Sequence, residues 1–281
     1  MRRLLRLAGW LALVGLGLAA GLLGYGLIAV TAQPVERQVE IVTPGLPAGS
    51  PPFRVALLSD IHFGNRAMQR PRLDAIVAAV NAAKPDLVVI AGDFVNGRDG
   101  RIETNPADLV APLAGLRAPH GVIATLGNHD HWTDPARIRR ALAQAGITVL
   151  ANQAAQRGPL VVLGVDDGHT HHDDIAAALA SAKGMAGLRV VVTHSPDLTP
   201  RLPATVGQVL AGHTHCGQVV LPLLGSLAPL VRRHVYNRHY TCGVIRDPGR
   251  TVVITGGLGS GSVPVRIGAA PDWWLVTFRA P

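Results

Sequence analysis

Val55-Ala56-Leu57-Leu58-Ser59-Asp60-Ile61-His62 joins an apolar run to an acid and a histidine. The run reads as a buried parallel strand, because such strands are apolar on both faces. Its polar pair emerges where the strand stops, and open α/β sheets gather ligand chemistry at the carboxyl ends of their strands. Four more segments repeat the arrangement. Residues 87–90 precede Gly92-Asp93, and 122–126 precede Gly127-Asn128-His129-Asp130. Residues 190–192 precede Thr193-His194-Ser195, and 209–210 precede Gly212-His213-Thr214-His215. Helical spacing falls between them: Leu73, Ile76, Val77 and Val80 within 71–83. A short helix is predicted over 106–116, and another over 135–145 with Thr133 or Asp134 as its cap and Gly146 as its terminator. Further strands are predicted at 147–150, 160–165, 252–255 and 274–278. Strand-helix alternation of this kind predicts one α/β catalytic domain.

The polar residues have the chemistry of metal ligands. Two divalent ions about 3.5–4 Å apart can clamp both oxygens of an in-line phosphoryl displacement. Holding two cations so close needs a bridging anion, and Asp93, alone after its glycine, is the best candidate. Carboxylate oxygen and imidazole nitrogen suit Mn, Fe, Zn or Mg rather than Cu(I). If Asp60 and His62 lie on an extended segment, both side chains face one side. The same geometry is expected of His213 and His215. Glycines 92, 127 and 212 are expected to permit tight turns at the strand ends.

The ordered set Asp-x-His, Gly-Asp, Gly-Asn-His-Asp, His and Gly-His-x-His resembles the calcineurin-like metallophosphoesterase family. The resemblance implies a four-layer α-β-β-α sandwich of two mixed sheets. It implies that Asp60, His62 and His215 hold one metal, that Asn128, His194 and His213 hold the other, and that Asp93 bridges them. Manganese is the expected ion. A hydroxide between the metals would attack phosphorus, and His129 would protonate the leaving oxygen. Gly217-Gln218, the run 256–261, Pro264 and Arg266 resemble a membrane-associated bacterial subgroup. That subgroup is linked to phosphodiester or pyrophosphate cleavage, with UDP-diacylglucosamine pyrophosphohydrolases among its relatives. The implied substrates therefore include nucleotide-linked lipids. A phosphomonoesterase, or a metal-binding module without turnover, is the alternative. One position departs from the family pattern: Asn96 stands where many members carry an Asp that orients the acid histidine. His129 is then expected to be a weaker acid-base group, or Asp130 to take over that role.

Other histidines carry less. The segment His169-Thr170-His171-His172-Asp173-Asp174 reads as a rim loop, with Asp173 or Asp174 capping the alanine-rich helix that follows. His131 is a candidate contact for substrate phosphate.

Working outward, no charged residue falls between Arg6 and Glu36, and residues 7–30 are almost wholly Leu, Ala, Gly and Val. About 20 such residues cross a bilayer as a helix, and a cleaved signal's apolar region is usually only about 7–15. Residues 1–32 are therefore read as an uncleaved anchor, with a cleaved export signal as the alternative. Residues 33–52, rich in Pro, Gly and Val, read as a linker, and 53–281 as the catalytic domain. Arg2, Arg3 and Arg6 place the amino terminus in the cytoplasm and the domain outside.

Net charge is +8, and +5 without those three arginines. The surplus is scattered, so a nucleic-acid stripe is not expected; lipid headgroups and phosphate-bearing small molecules fit better. Residues 221–230 read as ordinary core; a segment dipping into a lipid surface, with Arg232 and Arg233 meeting headgroup phosphates, is the alternative. The two cysteines, Cys216 and Cys242, allow one bridge in an oxidising compartment; for Cys216, directly after His215, ordinary packing is expected ahead of a soft metal ligand.

Overall fold

The apolar runs become the inner strands of two six-stranded sheets. The computed structural model describes residues 2–228, 237–261 and 263–281. The first sheet contains β1 (Val35–Val42), β2 (Phe53–Leu58), β3 (Leu87–Ala91), β4 (Val122–Thr125), β5 (Thr148–Val149) and β12 (Asp272–Arg279), in the order β1-β12-β2-β3-β4-β5. The second contains β6 (Gln153–Arg157), β7 (Leu160–Gly164), β8 (Leu188–Val192), β9 (Gln208–Ala211), β10 (Gly243–Asp247) and β11 (Arg250–Ile254), in the order β10-β11-β9-β8-β7-β6. Both sheets are mixed. β2, β3, β4 and β5 run parallel, β12 runs antiparallel to β2, and β7, β8, β9 and β11 run parallel between two antiparallel edges.

Side-chain parity builds the layers. Val55 and Leu57 of β2 enter the core between the sheets with Val190, Val192, Leu210 and Val253. Ala56 and Leu58 face the other way, onto α2 (Arg70–Ala82) through Leu73, Ile76 and Val80. Val191, Val209 and Val252 form the opposite outer face with α6 (Ile175–Ser181) and the helical turn Pro196–Arg201. Three buried clusters thus separate four layers, helices outside and sheets inside. Fully burying each of these aliphatic side chains contributes about 1.5–3 kcal/mol.

Within the two large sheets, three strands run where the sequence predicts none, and each is a sheet edge. β1 falls inside the expected linker 33–52 and pairs in parallel with β12, Val35 opposite Asp272. β6 and β10 close the two sides of the second sheet. Their sequences VERQVEIV, QAAQR and GVIRD mix polar with apolar residues and hold no long apolar run, because an edge strand needs less apolar cover.

Helix α1 (Arg2–Ala29) is exposed along almost its whole length and has a mean hydropathy of 2.1 over its most apolar window. It is long and apolar enough to cross a membrane. The expected basic group Arg232-Arg233 and the end of the 221–230 segment lie outside the described residues.

Candidate metal centre

The loops that leave β2, β3, β4, β8 and β9 converge at one end of the sandwich. Here the chain bends in a way that its sequence does not announce. Asp60, His62, Asp93, His213 and His215 all adopt left-handed backbone, with φ between 47° and 69°. The expected extended segments are therefore absent; Asp60 and His62 share a direction because both peptides turn sharply. Such conformations are uncommon for residues with a Cβ and cluster where a surrounding structure over-determines them. Of the three glycines expected in tight turns, only Gly92 has positive φ, 81°. Gly127 and Gly212 serve by lacking a side chain: a Cβ on Gly127 would collide with Asp93, and one on Gly212 with Ser59 and Asp60.

These turns bring the seven candidate ligands together. His62 Nε2 lies 3.3 Å from His215 Nε2, and Asp60 Oδ1 lies 3.4 Å from His215 Nε2 and 3.8 Å from His62 Nε2. A second set forms beside them: His194 Nε2 is 3.1 Å from both Asn128 Oδ1 and His213 Nδ1. Asp93 Oδ2 touches both sets, 3.5 Å from His62 Nε2 and 3.3 Å from His194 Nε2. Ligands at about 2.0–2.1 Å from a tetrahedral ion stand roughly 3.3–3.4 Å from one another, so these spacings are those of coordination edges. Asp60 Oδ1 is buried with no hydrogen-bond partner among the described residues, an arrangement that costs free energy unless a cation meets it. The residues present therefore fit metal ions, and Asp60, His62 and His215, or Asp60, Asp93 and His194, each form a group able to hold one.

Supporting bonds fix the donors. His194 donates from Nδ1 to the Ala91 carbonyl at 2.7 Å, which leaves Nε2 free to ligate. Asp93 Oδ1 accepts the His129 backbone N–H at 2.8 Å, so its other oxygen is the one turned to the cluster. Arg266, 1% exposed, lies with Nη2 3.1 Å from His215 Nδ1 and donates to the carbonyls of Gly256 and Gly259, at 2.6 Å each. Burial pushes its pKa down to about 10, which leaves it charged at neutral pH.

Electrostatics match this arrangement. Burial pushes the Asp60 carboxyl up to about 6, and Asp93 adds to the shift. Burial likewise drives His62 down to about 3, a neutral imidazole ready to ligate. Asp93 and His194 behave differently: burial disfavours charge on both, but their mutual attraction holds Asp93 well below the carboxylate range and His194 well above 6.5.

His129 stands beside the donors, its ring edge-on to His62 at 4.8 Å. It is oriented by neither expected partner. Asp130 does not reach the ring. Its oxygens accept the backbone N–H groups of Asp93, Phe94, Val95 and Gly127 at 2.9–3.3 Å, tying the β3 and β4 turns together. Asn96 donates to Glu103 at 2.6 Å. The Gly97 carbonyl accepts from His129 Nδ1 at 2.7 Å, which leaves Nε2 on the pocket side. A backbone acceptor has no signature in sequence.

At the rim, His131 pairs through Nε2 with Asp166 at 2.8 Å and stacks on His172. His169 lies 5.1 Å from the His213 ring, and Asp174 caps α6 through Ala177 N. Cys216 and Cys242 form the one bridge that two cysteines allow, in place of the ordinary packing expected of Cys216. Spacing alone cannot pair cysteines; the loop that follows His215 brings them together.

A family model described as calcineurin-like phosphoesterase matches residues 53–217. A transmembrane protein with metallophosphoesterase domain from Danio rerio is 29% identical over 267 residues, which cover 88% of this chain and 58% of that protein. An uncharacterized metallophosphoesterase of Bacillus subtilis (strain 168) is 27% identical over 242 residues, 84% of this chain and 82% of its own. The solved NAD nucleotidase of Haemophilus influenzae aligns with a TM-score of 0.47 at 15% identity, over 75% of this chain and 46% of that one.

Proposed function

The chain belongs to the calcineurin-like phosphoesterase family, a metal-dependent family of phosphoester hydrolases, and from that premise we propose a dinuclear enzyme that cleaves phosphodiester or pyrophosphate bonds. The observation that carries the reading is the position of Asp93 Oδ2, within 3.5 Å of one donor set and 3.3 Å of the other. Asp60, His62 and His215 would hold one divalent ion, Asn128, His194 and His213 the second, and Asp93 both. Manganese suits this oxygen and nitrogen set. When bound, such ions polarise phosphoryl oxygens and lower the pKa of an attacking water.

The protein's own groups do the rest. The Ala91 carbonyl keeps His194 in the ligating tautomer, and the Gly97 carbonyl holds His129 Nδ1 so that Nε2 can carry a proton to the leaving oxygen. Asp130 keeps the two turns in register. Substrates on this reading are phosphodiesters or phosphoanhydrides, including those of nucleotide-linked lipids. Residues 53–281 would form the catalytic unit and α1 its membrane anchor. The Cys216–Cys242 disulfide supports a domain on the oxidising, extracytoplasmic side.

Purified chain with Mn²⁺ should hydrolyse bis-nitrophenyl phosphate faster than nitrophenyl phosphate and bind two metals. Asp93→Ala should lose both paired metals and turnover. An Asp93→Ala protein that keeps two metals and full activity would refute the dinuclear assignment; two metals with no turnover of any phosphate ester would leave a binding module.

A further inference from the structure

The segment Gly256–Ile267 borders the metal centre on one side and the anchor helix on the other. On its inner side Leu258 N donates to Ser59 O and Gly259 N to Asp60 O, at 3.0 and 2.7 Å. A Cβ on Gly261 would sit 3.7 Å from His129 Nε2 and from His62 Nε2. On its outer side Arg266 N donates to Gly26 O of α1 at 3.1 Å. Gly26 has no room for a side chain there, since Val265 and Ile267 press against it.

The position of Gly26 in α1 sets a depth. A hydrocarbon core of about 30 Å takes about 20 helical residues. A span that starts at Leu7, just after Arg6, therefore leaves the hydrocarbon at Gly26, the residue that meets the segment. From Gly261 to Val263 the chain can extend only about 7 Å. Val263 thus lies within about 11 Å of the candidate acid and ligand, while its neighbour Val265 is at the hydrocarbon boundary. One leaflet's headgroup zone is about 5–8 Å deep, the difference between the full bilayer and its core shared by two sides.

The surface at that depth is apolar where a water-facing surface would not be. Leu223 is fully exposed, Leu224 is 74% exposed and Val263 57%. Leu223 and Leu224 form the tip of a small hairpin, Val220–Leu221 with Gly225–Ser226. That hairpin is rooted on the same segment: Val220 N donates to Ile267 O at 2.7 Å, and Gln218 Nε2 to Val263 O at 2.7 Å. Three large apolar side chains, borne by elements hydrogen-bonded to each other and to the end of α1, therefore point away from the protein.

We propose that the mouth of the metal centre docks on the bilayer that α1 spans, with Leu223, Leu224 and Val263 seated at the outer hydrocarbon boundary. This rests on reading α1 as a membrane span. It deepens the functional reading, because phosphoryl groups carried in the headgroup layer then arrive at the metals without leaving the membrane. Taking three apolar side chains out of water is favourable enough to hold a domain that is already tethered. The tether also makes docking an intramolecular event.

The test uses the full chain in nanodiscs of phosphatidylethanolamine and phosphatidylglycerol, with amide hydrogen exchange as the readout. Flotation with vesicles first checks the span itself; a chain that stays in the soluble fraction overturns the anchor and the docking together, while leaving the reading of the metal centre untouched. In a chain that floats, amides of 222–226 should exchange about tenfold slower than in a Leu223→Asp/Leu224→Asp variant in the same discs. Retained Mn²⁺-dependent turnover of bis-nitrophenyl phosphate shows that the variant is folded. If the floating wild-type chain exchanges these amides at the rate of an unprotected turn, the hairpin stays in water and the proposal is overturned, whatever the variant does.

Discussion

His129 is the residue whose environment differs most from its expected one. With Nδ1 committed to the Gly97 carbonyl, its ring is oriented by a neutral acceptor and not by a carboxylate. Removing a positioned general acid costs about 10²–10⁴-fold in rate, so His129→Ala should lower kcat within that range while metal content, read by elemental analysis, stays the same. Asp60 sets a second expectation. Its carboxyl is raised to about 6 by burial, so the fold favours the neutral form. In metal-free protein the stability this group contributes is present below its unfolded pKa and lost as pH rises through about 6. Metal binding needs the charged form and so opposes that preference. His194, held protonated by Asp93, must also release a proton. Metal affinity should therefore rise with pH through His194 alone near neutrality, and more steeply below about 6, where Asp60 adds its proton. Titration calorimetry at several pH values reads the slope; a slope unchanged across pH 6 would exclude Asp60 as a ligand.

Among the elements, the loop after β9 carries the heaviest constraint. It places His213 and His215 in left-handed backbone, continues left-handed through Cys216 and Gln218, and is closed by the disulfide to Cys242, 26 residues on. A bridge closing a loop of that size contributes about 3.5 kcal/mol on the chain-entropy account. Cys216→Ser/Cys242→Ser should lower the melting temperature by about 10 °C for a domain of this size. Because Cys216 adjoins His215, the same variant should also hold less metal. Unchanged metal content with a lowered melting temperature would confine the disulfide to stability. The edge strands make the complementary point. β1, β6 and β10 are held by one neighbour each, and Arg37 pairs with the buried Asp272 of β12 at 2.6 Å to fasten the first. Pairing of that kind needs no apolar run and leaves none to be read.

At the scale of the whole molecule, the candidate metal ligands come from both sheets. Asp60, Asp93 and Asn128 come from the first, His194, His213 and His215 from the second. Ions held between them should act as cross-links: free metal a hundredfold above Kd stabilises by about 2.7 kcal/mol per site. Chelation should therefore lower the melting temperature, and by more at pH 7.5 than at pH 5.5, where protonated Asp60 already relieves the buried charge. Differential scanning fluorimetry with and without chelator measures both. An equal effect at the two pH values would place the metal elsewhere.

The amino-acid sequence by itself determined the inner strands, the helices α2 and α5 (Pro135–Gln144), the apolar helix α1 and the order of the candidate ligands. Each is written locally, in apolar runs, helical spacing, or a polar residue directly after a run. Only the tertiary structure decided the edge strands, the left-handed turns, the Gly97 and Ala91 acceptors, the bracing role of Asp130, the disulfide, and the contact of Gly26 with the segment over the metal centre. The β1 pairing, the Gly97, Ala91 and Asp130 bonds and the Gly26 contact depend on which backbone groups meet across about 30 to 240 positions, and a hydrogen bond to a carbonyl selects no residue type at that carbonyl.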